Sequence, residues 1–309
     1  MLSKKSLSFV NSWLSAARLR TLPLSVSGIM IGSSYAFFVN KFNSLLFIVA
    51  LLTTVAYQVL SNFANDYGDG IKGADDNRTG PKRAVQSGLI SRPSMKKAIT
   101  TLSLVSIILT LCLVTLAFGA FSKYFFLFIA LGSLAIFAAI KYTVGKFAYG
   151  YFGLGDLFVF VFFGIVSVLG SNFLFSTNLN WLLLNPAITL GLLSVGVLNL
   201  NNMRDLKSDE KSGKKTLAVY MGRKTSKIYH SVIISTAIVL MLKFQISLEI
   251  QSIFLNIVLF INVLGLLIHL FQIYNITQPS RYDNFLKVVA LHAFFYSIII
   301  SLYFFKIVV

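Results

Sequence analysis

Cysteine is nearly absent from this chain. Its 309 residues include one, Cys112, set in an apolar run, which excludes a disulfide framework and leaves a small core or lipid-facing residue. The three histidines, His230, His269 and His292, are scattered and carry no metalloprotease helix motif, so they read as structural. A Walker-type glycine-rich loop is missing, which argues against ATP hydrolysis. Charged residues make up only 12% of the chain, against roughly 25% in an ordinary soluble domain. Acid is scarcest of all, with 10 residues. The opening Met1-Leu2-Ser3-Lys4-Lys5 lacks a small-residue cleavage site ahead of a hydrophobic run, so it is expected to be a retained cytoplasmic tail.

What is plentiful is apolar: 56% of residues are hydrophobic, and mean hydropathy is +0.79. A membrane-spanning helix needs about 20 mostly apolar residues. Nine stretches qualify, near 22–40, 44–64, 98–118, 122–141, 153–174, 181–200, 227–245, 250–273 and 286–306. None alternates as a strand would, and all are far too long for barrel strands. The expected fold is therefore all-α: one polytopic bundle of about nine transmembrane helices over 1–309, with no separate soluble domain. The net charge of +17 fits cytoplasmic loops of a membrane protein better than nucleic-acid binding. All but four of the 27 basic residues, the exceptions being Lys41, Lys123, Lys243 and Lys306, fall on one side of this map. The positive-inside rule makes that side cytoplasmic, with the N-terminus inside and the C-terminus outside.

Seven of the 10 acids sit in two clusters on this side. The first runs Asn62-Phe63-Ala64-Asn65-Asp66-Tyr67-Gly68-Asp69, followed by Asp75 and Asp76; the second is Asn201-Asn202-Met203-Arg204-Asp205 through Asp209 and Glu210. Each begins at the end of a long apolar helix and is expected to run into a cytoplasmic catalytic loop, 65–97 and 201–226. The matched placement hints at two related halves. Acid near a bilayer is costly and usually has a task. Asn62, Asp66 and Asp69 are spaced four and three apart, and Asp205 and Asp209 four apart, so each set shares a helix face. Carboxylates this close repel unless a cation lies between them. Mg²⁺ is typically held by one or two carboxylates plus substrate phosphates, so two facing sets suggest a bound diphosphate. Lys72, Lys82, Arg83, Arg204 and Lys214 lie beside the acids and suit a departing diphosphate.

Six segments together resemble the UbiA superfamily of intramembrane prenyltransferases. They are Ala17-Arg18-Leu19-Arg20-Thr21-Leu22-Pro23, Leu60 through Asp69, Gly80-Pro81-Lys82-Arg83-Ala84-Val85-Gln86-Ser87-Gly88, Tyr142-Thr143-Val144-Gly145, Gly153-Leu154-Gly155-Asp156, and Asn201 through Asp209 with Gly213-Lys214-Lys215-Thr216-Leu217-Ala218. The resemblance covers 17 to about 223 and is nearest to the naphthoate branch. It implies transfer of a polyprenyl group from polyprenyl diphosphate to 1,4-dihydroxy-2-naphthoate, with decarboxylation, in menaquinone synthesis. It implies Mg²⁺ as cofactor and a multi-pass location in the cell's plasma membrane, with the active site near the cytoplasmic face. Metal residues carry over to Asn62, Asp66, Asp69, Asp205 and Asp209, the four aspartates being the catalytic acids. Lys72, Arg83, Arg204 and Lys214 become diphosphate-binding candidates. Arg18, Arg20, Tyr142 and Asp156 become candidates for the aromatic substrate, with Lys146 a further basic residue nearby. Where the superfamily often has a third acid this chain has Gly73, and Asp75 is the substitute. Sister reactions with another aromatic acceptor or a phytyl donor are alternatives, and a membrane transporter is the rival of another class. Lys41→Ala, on the face opposite the acids, should leave turnover within about twofold of wild type in a transfer assay, since surface changes away from a site usually cost little.

Overall fold

The computed structural model describes residues 4–74, 80–81, 83–248 and 252–305, with side chains from Val10 onward. Ten helices make up the described chain: α1 (Lys4–Ala17), α2 (Leu22–Phe38), α3 (Ser44–Lys72), α4 (Arg92–Phe118), α5 (Lys123–Lys141), α6 (Gly155–Ser176), α7 (Leu184–Lys211), α8 (Leu217–Ser247), α9 (Ile253–Ile273) and α10 (Tyr282–Phe304). No strand occurs among the described residues. Among the described residues, nine segments are long and apolar enough to cross a membrane, the first being Val10–Phe38, which joins α1 to α2. The all-α expectation holds.

Local signals start the helices. Asn43, Ser91, Ser122 and Thr216 each accept a hydrogen bond from the backbone N–H three residues on, capping α3, α4, α5 and α8. Pro23 and Pro93 stand in the first turns of α2 and α4, where the missing N–H costs nothing.

Three boundaries differ from expectation in ways that matter. The 1–20 segment is not a plain tail, since α1 packs on α3, with Trp13 tilted against Phe63 at 5.4 Å. The first acid motif is helical, because α3 continues to Lys72. The second is helical too, because α7 continues to Lys211. Polar side chains that bury against other helices lose nothing by staying helical, so the apolar count alone ends these helices too early. The expected loops 65–97 and 201–226 shrink accordingly, and α8 begins at Leu217 with a kink at Gly222. Asp75 and Lys82 lie outside the described residues.

Small residues bring the helices around the site close together. Gly28 of α2 packs on Ser167 of α6, and Ser171 donates to the Gly28 carbonyl at 3.2 Å. Gly164 of α6 faces the backbone of Ala187 and Gly191 on α7. Without a hydrophobic force between helices in lipid, such small-residue contacts supply the close packing. Between Phe160 and Gly170, α6 is π-helical, a form often found at functional sites. The main core gathers α2, α7, α8, α9 and α10, and a second cluster joins α1, α3 and the 84–99 region. The three histidines lie on α8, α9 and α10: His230 and His269 share a 2.8 Å contact, and His292 pairs with Asn262.

A Cβ on Gly164 would sit 2.5 Å from the Ala187 carbonyl oxygen and 2.7 Å from the Gly191 Cα. Backbone cannot move aside as a flexible side chain can, so Gly164→Ala should destabilise by about 1–3 kcal/mol. A thermal melt in detergent checks this, with Gly170→Ala as the comparison, since its nearest new contact is 3.7 Å away.

Candidate active site

A cavity of about 360 Å³ runs inside the bundle between α2, α3, α4, α5, α6 and α7. One stripe of α3 lines it: Ala50, Thr53, Thr54, Tyr57, Gln58, Ser61, Asn62, Asn65 and Asp69. Steps of three and four keep these on one face. From Ala50 to Asp69 the stripe extends about 28 Å at helical rise, close to the hydrocarbon thickness of a bilayer. The cavity thus has a charged end and an apolar end. At the charged end are Asn65, Asp69, Arg83, Asp205, Asp209 and Lys214; at the other are Ile29, Leu113, Val114, Phe128 and Leu174.

The charged end is assembled by two matched helix ends. Gly73 (φ 70°) ends α3 in a left-handed turn, and the Ala74 N–H donates to the Asp69 carbonyl at 3.1 Å. Gly213 (φ 74°) ends α7, and the Lys214 N–H donates to the Asp209 carbonyl at 2.8 Å. The same glycine-terminated cap closes both motifs. It also explains the departure at Gly73: any side chain there would be strained.

The cap at Gly213 swings Lys214 back across the site. Its ammonium donates to Asp69 Oδ2 at 2.9 Å and lies 3.9 Å from Asp209 Oδ1. The two motifs therefore face each other, and the cation between them in this structure is Lys214. Burial would pull that ammonium down, but Asp69 and Asp209 outweigh it and hold it well above the ordinary lysine range. Tyr151 donates to Asp69 Oδ1 at 2.9 Å, and its backbone carbonyl accepts from the Lys215 N–H, which ties the 148–153 segment to the site. Tyr142 lines the cavity beneath Lys214, and burial pushes its hydroxyl up to about 12, so it remains a proton donor.

The candidate residues divide on this geometry. Asn62, Asp69, Asp205, Asp209, Arg83, Lys214, Arg18, Arg20 and Tyr142 line the cavity. Asp66 does not, although it shares the acid spacing. Both of its oxygens accept backbone N–H groups, from Val85 at 2.9 Å and Ala84 at 3.1 Å, so it anchors the turn that carries Arg83. Arg204 is not a cavity-wall residue either. Its side chain is fully buried, donating through Nε and Nη2 to Asp205 and through Nη1 to Asp283. Asp156 faces α8, where Tyr229 donates to it at 3.2 Å, and lies off the cavity lining. Lys72 sits 3.8 Å above the Tyr151 ring rather than in the cavity, and Lys146 is exposed outside it.

Sequence reasoning passed over four residues. Asn65 lines the cavity, and its Oδ1 is buried without a hydrogen-bond partner among the described residues. It follows Asn62 by three positions, so it was legible as a second asparagine of the same face. Asn62 itself donates to the Ala17 carbonyl at 2.9 Å, supporting the turn where Arg18 adopts left-handed backbone (φ 49°). Tyr151 and Asp283 reach the site from other segments and left no local pattern. Gln58 completes the wall by donating to Thr21 Oγ1 at 3.0 Å.

Asp66→Ala would leave two buried N–H groups without their acceptor, at about 1–3 kcal/mol each if no water replaces it. The expected result is amide exchange at Ala84 and Val85 about 5- to 150-fold faster, the fold-change that margin corresponds to. Mass-spectrometric hydrogen exchange in detergent measures it.

Residues 25–299 match the family model described as the UbiA prenyltransferase family. A relative from Haemophilus influenzae, 1,4-dihydroxy-2-naphthoate octaprenyltransferase, is 40% identical over 98% of each chain. The protein of the same name from Escherichia coli is 40% identical over 79% of this chain and 80% of its own length. Among solved structures, a UbiA homolog from Archaeoglobus fulgidus bound to DMAPP and Mg²⁺ matches 94% of this chain and 99% of its own, with TM-score 0.63 at 13% identity. The bundle with nine candidate spans among its described residues, its paired acid motifs and a likeness over nearly all of the chain agree: the chain belongs to the UbiA prenyltransferase family.

Proposed function

We propose that this protein transfers a polyprenyl group from an allylic polyprenyl diphosphate to 1,4-dihydroxy-2-naphthoate, with decarboxylation, giving a demethylmenaquinol. The observation that carries this reading is one cavity with a charged end and an apolar end, in a chain 40% identical to relatives bearing that activity in their names. An amphiphile with an anionic head and a hydrocarbon tail matches both ends. A transporter would place its acids near the midplane on broken helices, whereas these acids sit in the last turns of α3 and α7.

The donor set suits Mg²⁺ brought in with the diphosphate. Among the described residues, no three His, Cys, Asp or Glu side chains stand close enough to hold a metal alone. Mg²⁺ does not need them, because one or two carboxylates plus phosphate oxygens complete its shell. Asp69 and Asn65 would hold it on the α3 side, and Asp205 and Asp209 on the α7 side. Asn65 Oδ1, buried without a hydrogen-bond partner among the described residues, would serve as an oxygen ligand. When bound, the ion neutralises the diphosphate as a leaving group.

The chain's own residues do the rest. Lys214 and Arg83, both on the cavity wall, meet the diphosphate and stabilise its charge as the C1–O bond breaks. Arg18 and Arg20 orient the naphthoate carboxylate, for which a guanidinium fork is suited. The ring carbon bearing that carboxylate bonds to C1 of the isoprenoid, and the carboxylate leaves as CO₂, restoring aromaticity. The apolar end, with Phe128 and Leu174, holds the tail and keeps water from the allylic cation. The protein lies in the plasma membrane with its charged end and N-terminus at the cytoplasmic face, where Lys and Arg accumulate.

A transfer assay in liposomes tests this, offering 1,4-dihydroxy-2-naphthoate and a farnesyl-to-solanesyl diphosphate series, with and without Mg²⁺. The expected product is a decarboxylated prenyl naphthoquinol that forms only with Mg²⁺. Asp69→Asn and Asp209→Asn should each lower kcat/KM by about a hundredfold or more. Product only with a different aromatic acceptor would overturn the naphthoate assignment.

A further inference from the structure

Asp283 stands in the first turn of α10, far along the chain from either acid motif. Its Oδ1 accepts Arg204 Nη1 at 2.6 Å, and its Oδ2 accepts Arg20 Nη1 at 2.9 Å. Lys287, one turn on, is 3.8 Å away. Both arginines lead to the cavity. Arg20 lines it directly, and Arg204 clamps Asp205, which lines it, through bonds of 2.9 and 2.8 Å. Leu286, on the same face of α10 as Asp283, is also part of the wall. Asp283 thus lies one layer behind the charged end and joins the first and last membrane spans to α7.

Lys287 is half exposed and its contact is long, so the close pairs of this network are Arg20 and Arg204 against Asp205 and Asp283. A buried guanidinium given one carboxylate would spend its whole charge on it. Given two, it divides that charge, so Asp205 keeps more of its own field for a cation arriving with the diphosphate. Without Asp283, Arg204 would keep Asp205 and the Asn201 amide oxygen but lose a second carboxylate, Arg20 would lose its bond to Asp283, and the excess positive charge would oppose a metal ion at Asp205. We propose that Asp283 is a positioning residue of the prenyl-transfer site, holding Arg204 and Arg20 so that Asp205 can receive the metal–diphosphate head group.

This inference rests on the proposed function for the identity of the head group, but its test does not need the aromatic acceptor. Binding of farnesyl diphosphate to purified protein in detergent is titrated by calorimetry over a Mg²⁺ series, with no acceptor present, and melting temperature is recorded for each variant. Asp283→Asn should raise the Mg²⁺ concentration for half-maximal binding by about tenfold, the size expected on losing one charge-assisted partner. Asp283→Glu keeps the charge on a longer arm and should fall between wild type and Asn, about threefold up on the same scale, at a wild-type melting temperature. An Asn variant that binds less in proportion to its folded fraction, with an unchanged Mg²⁺ midpoint, would mean a purely structural role and overturn the proposal. If the Asn variant does not fold, the Glu variant decides alone: a raised midpoint supports the proposal, and a wild-type midpoint overturns it. Wild-type protein that binds farnesyl diphosphate with Mg²⁺ but prenylates no naphthoate would refute the proposed reaction and leave the Asp283 result standing.

Discussion

Everything at the charged end depends on keeping two like-charged helix ends together in a low-dielectric surrounding. Asp69 on α3 and Asp209 on α7 would repel if left alone, and desolvation would sharpen the repulsion. Lys214 resolves this by reaching both, at 2.9 and 3.9 Å. It arrives there because Gly213 turns the chain back on itself immediately after α7. The cation is covalently attached next to the motif it neutralises, so the site is held together before any metal or diphosphate enters. In the proposed reaction a diphosphate would meet a lysine already in place, beside carboxylates that would hold a metal ion.

The correspondence between the two halves is physical as well as positional. In each, the last acid of the motif offers its side chain to the cavity and its backbone carbonyl to a cap closed by a left-handed glycine. The helix end is therefore stiff where the acids must be positioned, and the chain leaves it in a defined direction. Around this pair a second layer of charge holds the frame of the cavity. Asp66 holds the Arg83 turn by two backbone hydrogen bonds, and Arg204 holds Asp205 while being held by Asp283. Acids of one motif thus divide into those that face the cavity and those that hold its frame.

Fold and site also explain each other along the membrane normal. The cavity wall on α3 grades from carboxylate through amide and hydroxyl to alanine over one helical face. This gradient matches an amphiphile whose head lies at the surface and whose tail lies in hydrocarbon. Glycine and serine contacts between α2, α6 and α7 allow the helices to close around that space without filling it.

Legible in the sequence alone were the number of candidate spans, the shared side of the two acid clusters, the family resemblance, and the helical faces that carry Asp69, Asp205 and Asp209. These follow from apolar length, charge bias and helical spacing, which are local properties. The division of labour among residues with identical chemistry came from packing in three dimensions. Asp66 and Asp69 stand three apart on the same helix, yet the Ala84–Val85 turn takes one and Lys214 the other. Arg20 and Arg204 look alike in the chain, but burial puts the second behind the wall and leaves the first in it. Asp283 and Tyr151 bear on the site from segments with no motif, because a hydrogen bond records distance in space and the chain records distance along itself.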